Sequence, residues 1–290
     1  MRRCILVGVL LCGIALQASA QNSVFGKNKI QYKNFLWQYI QTDHFDIYFS
    51  QDGYDLAQFT ANASEAAYAS IKKLFHYDIN NRISLVVYNS HNEFQQTNVV
   101  SEYMEEGIGG VTELFKNRVV IPFEGNYGLF RHVIHHELVH AVLNDMFYGG
   151  TIQSLISSKT PVQLPMWMNE GIAEYAALQW DNNSDMFLRD ATVHNYLPPI
   201  NYLSGYFAYR GGQSVWYYIA NKYGEQKITD IFNQIKSARN IEKGFKAAIG
   251  LSIKELSDRW QKEQKVYYWP DIAKREEPAD FSYKRMTNHT

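Results

Sequence analysis

Apolar positions alternate in the first part of the chain and recur every three to four residues in the later part, so strands are expected first and helices afterwards. The stretch FLWQYIQTDHFDIYFS (35–50) alternates as one or two strands, and RISLVVYNS (82–90) reads as a buried strand. Between them, residues 56–75 carry an alanine-rich helical period. GIGGVTELFKNRVVIPF (107–123) predicts two short β segments around a turn at Lys116 and Asn117, an edge hairpin of the kind that pairs with an extended peptide. Residues 127–147 then read as a mostly buried helix, closed by Gly149 and Gly150. From Pro165 onward the pattern is helical over 166–179, 205–223, 225–238, 241–249 and 252–268, where Ser252 and Glu255 form a capping box. The expected architecture is α+β: a sheet-bearing lobe (21–164) and a helical lobe (165–269) with a cleft between them.

Polar residues placed inside the buried helix change that picture. Within RHVIHHELVHAVL, His136 and His140 stand four positions apart, one turn along one helix face, and can reach one metal ion. Glu137 flanks the ion without binding it, where a general base for water belongs. The pentapeptide is short, and a buried helix with hydrogen-bonded histidines explains it equally well, so the surroundings must decide.

They include LPMWMNEGIAEYAAL (164–178), with Pro165 suited to a helix first turn and Glu170 and Glu174 spaced to share a face. Two histidines leave a tetrahedral zinc one protein ligand short, and Glu170 fills that role. Glu174, one turn on, is placed to accept the outer N–H of a ligand imidazole. Trp167, Met168, Ile172, Ala173 and Tyr175 surround both carboxylates with apolar groups, and carboxylates in such company have partners. His132 and His136 allow a second metal register, but one without an adjacent base, so His132 reads as an outer or surface residue.

The pairing of His136-Glu137-x-x-His140 with WMNEGIAEY resembles the gluzincin metallopeptidases, in particular the peptidase MA-like exported proteins related to the aminopeptidase-N and thermolysin groups. The resemblance runs through residues 35–265 in order of features. It implies a thermolysin-like two-lobed zincin fold, one Zn2+ per chain on His136, His140 and Glu170, and Glu137 as base and proton shuttle. In aminopeptidase-like relatives a tyrosine stabilises the oxyanion, and GYFAYRGGQSVWYYIANKYG (205–224) offers Tyr209, with Gly212 three residues later, ahead of Tyr206. Their amine-binding Gly-x-x-Glu-Asn strand finds a partial echo in Gly110 to Leu114, so Glu113 is expected to be an ordinary strand residue. Endopeptidase and aminopeptidase action stay open. Similar exported proteins carry a TolB-type β-propeller next, and KRMTNHT at the C-terminus resembles the entry to its first blade.

Arg2, Arg3, the apolar run 5–16 and Ala18-Ser19-Ala20 make a signal peptide cut before Gln21, which predicts export to the periplasm, cell surface or medium. Cys4 and Cys12 leave with it, so the mature chain gains no disulfides. It keeps 26 basic and 29 acidic side chains, with no basic patch that would favour nucleic acid and no later apolar run long enough to span a bilayer. Residues 149–164 can form a loop over the cleft, and 270–290 read as a linker or the start of a further module. The aromatic clusters at 216–218 and 267–269 read as core or lobe contacts. The expected activity is zinc-dependent hydrolysis of peptide bonds in a peptide or protein substrate; the alternative is a noncatalytic surface module that keeps the fold to bind peptides or a partner protein.

Overall fold

The computed structural model describes residue 29 and residues 31–99, 107–114, 116–149 and 162–274. The leader, both cysteines, most of the 149–164 connection and the KRMTNHT segment lie outside these residues.

The chain opens with β1 (Gln38–Gln41) and β2 (Phe45–Phe49), antiparallel and joined by a tight turn. In β2 every second side chain, Phe45, Ile47 and Phe49, is buried, the period-two pattern of a strand with one face on a core. Helix α1 (Tyr54–Phe75) follows, burying Leu56, Ala61, Ala67, Tyr68, Ile71 and Phe75 among others. β3 (Ile83–Tyr88) pairs parallel with β2 and, on its other side, with β5 (Arg118–Pro122). A short turn of helix, α2 (His91–Phe94), leaves β3. β4 (Val111–Glu113) folds back antiparallel on β5 through a turn in which Asn117 takes φ 50°, a left-handed conformation that asparagine tolerates. The sheet order is β1-β2-β3-β5-β4, so the sheet is mixed and β4 is an edge.

Helix α3 (Tyr127–Tyr148) starts at Asn126, whose side chain accepts from the Gly128 and Leu129 amides, and stops at Gly149 with φ 70°. It is buried almost all round because the sheet and α1 pack on one side and the later helices on the other. The later helices are α4 (Met166–Leu178), α5 (Asn182–Val193), α6 (Tyr206–Tyr223), α7 (Gln226–Ala238), α8 (Ile241–Ile249) and α9 (Ile253–Ala273). The α+β architecture, a mixed sheet followed by a mostly helical part, is the one the sequence predicts.

Helices α4 and α6 touch backbone to backbone. A Cβ on Gly171 would stand 2.3 Å from the Gly212 carbonyl carbon, and one on Gly212 would stand 2.2 Å from the Trp167 oxygen. Trp216 locks the same contact by donating its ring N–H to the Met168 carbonyl at 3.1 Å. Gly212, expected as part of a Tyr-x-x-Gly motif, is thus the point where the helix of Tyr209 meets the helix of Glu170.

Two expectations are corrected, and one helix is new. Pro165 lies just before α4, in extended conformation with ψ 150°, not inside its first turn. Helix α9 runs past Tyr268 and through Pro270 to Ala273, where a linker was expected; near the end of a helix the missing proline N–H is one donor of a short remaining stretch. Helix α5 was not anticipated: its start, Asn182-Asn183-Ser184, is polar and a weak helix former, and it forms because Asp181 accepts from the Asn183 and Ser184 amides. Of the aromatic clusters, Trp216 and Tyr268 are core, whereas Tyr267 and Trp269 are exposed.

Candidate metal centre

Helix α3 projects His136 and His140 from successive turns, and α4 projects Glu170 against both. The two Nε2 atoms are 3.1 Å apart, and Glu170 Oε2 lies 3.2 Å from His136 Nε2 and 3.4 Å from His140 Nε2. Tetrahedral zinc with nitrogen and oxygen ligands at about 2.05 Å requires ligand separations of about 3.3 Å. Three donor atoms at these distances fit that ion without rearrangement, and their chemistry, two imidazoles and a carboxylate, suits it.

The surrounding charges are coupled. Burial alone would pull the His136 imidazole down, but Glu170 and Glu174 carry its pKa up to about 10. Burial works against the Glu170 charge, yet the two imidazoles hold it well below the ordinary carboxylate range, and His132 and His136 do the same for Glu174.

Glu174 Oε1 lies 2.9 Å from His136 Nδ1, the outer nitrogen of that ring, and 3.3 Å from His132 Nε2. Its second oxygen accepts from Arg210 Nη1 at 2.9 Å. Arg210 in turn reaches Tyr206 Oη, Ser184 Oγ and Gln213 Oε1 at 3.1 to 3.3 Å. Donor atoms of His132, His136 and Glu174 also cluster, but the guanidinium on the same carboxylate opposes a second cation there. The sequence placed His132 outside the ligand set, and here it faces Glu174.

Glu137 is buried beside the centre. The Thr112 hydroxyl lies 2.6 Å from Glu137 Oε2 and 3.1 Å from its backbone carbonyl. Gly110, just before β4, passes so close that a Cβ there would lie 2.9 Å from Glu137 Cγ. The sequence names Thr112 only within the partial Gly-x-x-Glu-Asn echo, without a role, and does not mark Arg210. Nothing in the sequence says which face of β4 meets α3; nothing in the neighbourhood of Arg210 marks a buried cation.

Tyr209 stacks on His136, rings 6.0 Å apart and inclined by 18°, and lines the cavity. Burial, and then the charge on Glu170, push its hydroxyl pKa up. Tyr206, the reserve candidate, is more exposed and engaged with Arg210. Glu113 pairs with Arg118 Nε at 2.7 Å across the β4–β5 register, as an ordinary strand residue does.

Two cavities meet at Gly110, His136, Glu137 and Tyr209. One, of about 450 Å3, extends past His140 between Val111, Leu114, Leu143, Phe147, Tyr148 and Leu164. The other, of about 410 Å3, extends past His132 between Ile108, Val133, Tyr206 and Arg210.

Among solved structures, the chain is similar to the M1 zinc metallopeptidase from Deinococcus radiodurans (10% identity, TM-score 0.39, covering 78% of this chain and 51% of that one). A mutant of that enzyme matches at 11% identity and the same TM-score, with 77% and 50% covered, so this chain spans about half the length of these structures. No curated protein matches the sequence. The profile of the Peptidase MA superfamily matches residues 63–266, which include β3, β5, the helices carrying His136, His140 and Glu170, and Tyr209. With more than two thirds of its residues inside that match, the chain belongs to the Peptidase MA superfamily.

Proposed function

We propose that this chain is an exported zinc-dependent metallopeptidase in which His136, His140 and Glu170 hold one zinc ion and Glu137 is the general base. Three donor atoms 3.1 to 3.4 Å apart, beside a carboxylate fixed by a neighbouring hydroxyl, carry this reading. Bound there, zinc supplies Lewis acidity, lowering the pKa of water and polarising a carbonyl oxygen.

The protein's own groups do the rest. The Thr112 hydroxyl occupies Glu137 Oε2, leaving Oε1 beside the bare Cα of Gly110 to take a proton from the attacking water and pass it to the leaving amide nitrogen. Tyr209, its pKa raised, stays protonated at neutral pH and donates to the oxyanion that forms on the substrate carbonyl. Glu174 holds the His136 ring by its outer nitrogen, and Arg210 holds Glu174. The alternative, a binding module without turnover, leaves the Thr112 to Glu137 contact without a purpose.

The leader supports export: two arginines, an apolar run and Ala18-Ser19-Ala20 precede Gln21. No helix among the described residues is long and apolar enough to cross a membrane. The test is metal analysis combined with peptide cleavage before and after Glu137→Gln. One zinc per chain in both proteins, with cleavage in the parent alone, supports catalysis. Stoichiometric zinc with no cleavage of a broad peptide library by the parent supports the binding module instead.

A further inference from the structure

Resting on the peptidase reading above, we propose that the cleft is endo-acting: it takes an internal stretch of extended polypeptide and draws nothing from a free terminus. Two independent features of the cleft lead there.

The cleft passes the metal centre on both sides. Its two cavities meet at His136 and Glu137, and the segment from Gly107 to Leu114 contributes to both, with Gly110 common to the two. Among the described residues β4 is an edge strand, bonded to β5 on one side. Its other side is a template for an added strand, and an extended chain laid along it at about 3.3 Å per residue would run through both cavities.

Among the described residues, the charges that could select a terminus are already paired. An enzyme that trims from the amino end needs a carboxylate for the ammonium close to the scissile bond, because a terminal charge taken out of water without a counter-charge is costly. Glu113, on the cleft strand, is joined to Arg118 at 2.7 Å and lines neither cavity. Among the described residues lining the cavities, the carboxylates are Glu137, Glu170 and Glu174. Thr112 engages the first, His136 and His140 the second, and His132, His136 and Arg210 the third. Arg210, which faces the other cavity, could meet a terminal carboxylate, yet it already contacts Glu174 at 2.9 Å and Asp181 at 3.6 Å. An uncharged internal amide asks for neither group.

Peptides of one sequence, prepared with free termini, N-acetylated, C-amidated and doubly blocked, test this against the zinc-loaded protein. The expected result is internal cleavage, read by mass spectrometry, with kcat/KM for the doubly blocked peptide within about threefold of the free one. A hundredfold loss on acetylation or amidation, or a ladder of single residues from one end, overturns the endo-acting assignment and leaves the peptidase reading intact. No cleavage of any form by zinc-replete protein overturns both. Binding gives a second readout: labelled free and blocked peptides should bind the zinc-loaded Glu137→Gln protein equally by fluorescence anisotropy. A tenfold preference for the free amine would overturn the inference by itself. Glu113→Gln should leave the ratio of free to acetylated cleavage unchanged, and a fall confined to free-amine peptides would place the ammonium on Glu113 and overturn it.

Discussion

Thr112 Oγ1 lies 2.6 Å from Glu137 Oε2, so the edge strand of the sheet grips the carboxylate that the active helix presents to the cleft. A hydrogen bond to a charged group contributes about 1.5 to 3 kcal/mol, and losing one that orients a base should appear in the chemical step. Thr112→Val is expected to lower kcat about ten- to a hundredfold with KM and zinc content little changed. Thr112→Ser, which keeps the hydroxyl, should recover most of the loss. Steady-state kinetics with metal analysis check both; a Val variant with parental kcat would remove Thr112 from any positioning role.

Arg210 and Glu174 form a buried pair, with side chains 14% and 6% exposed. Removing Arg210 strips Glu174 of its guanidinium and leaves it to His132 and His136, at a cost of up to about 3 kcal/mol. Arg210→Met should therefore lower the melting temperature of the zinc-free protein by several degrees. Because Glu174 also holds His136, its own replacement by Ala should weaken zinc binding about ten- to a hundredfold, measured by competition with a chelator.

His136 gives a pH prediction whose sign follows from its raised pKa. In the metal-free protein it reaches about 10, against an ordinary value of 6.5. The imidazolium therefore contributes stability that is complete below pH 6.5 and lost as pH climbs through about 10. Urea midpoints of the zinc-free protein should fall across that window, and the fall should be smaller with zinc bound, when the ring carries metal in place of a proton. For the same reason zinc uptake at pH 8 should release a proton from His136, seen as a binding enthalpy that varies with the ionisation enthalpy of the buffer.

Gly212→Ala tests the contact that seats the helix of Glu170 against the helix of Tyr209. The added methyl would lie 2.2 Å from the Trp167 oxygen, which belongs to backbone and has little room to yield. Overpacking of this kind costs about 1 to 3 kcal/mol and should displace α4, and Glu170 with it. A lower melting temperature together with weaker zinc binding is the expected pair of results. A loss of stability alone would show that α4 keeps its place.

Much of this protein can be read from residue order because its main signals are local. His136 and His140 share a helix face at any four-residue spacing, the β4–β5 turn announces itself at Lys116 and Asn117, and Ser252 with Glu255 marks a helix start, realised as a full capping box. Helix α5 was not legible for the converse reason: its polar first turn has weak propensity and depends on the cap at Asp181.

The sequence by itself determined the chemical types at the centre, their helical spacing and the alternation from strands to helices, because hydrophobic period and side-chain chemistry are properties of a few neighbouring residues. Glu170 and Glu174 could be named from their own spacing, but only the tertiary structure decided how closely they approach the histidines and which further groups join them. Glu170 arrives from another helix, held in place where Gly171 meets Gly212. Thr112 and Arg210 come from a strand 25 residues before Glu137 and a helix 36 residues after Glu174. Their partnerships depend on how the sheet, α3, α4 and α6 pack together, and no local pattern encodes the distance between side chains that packing alone brings into contact.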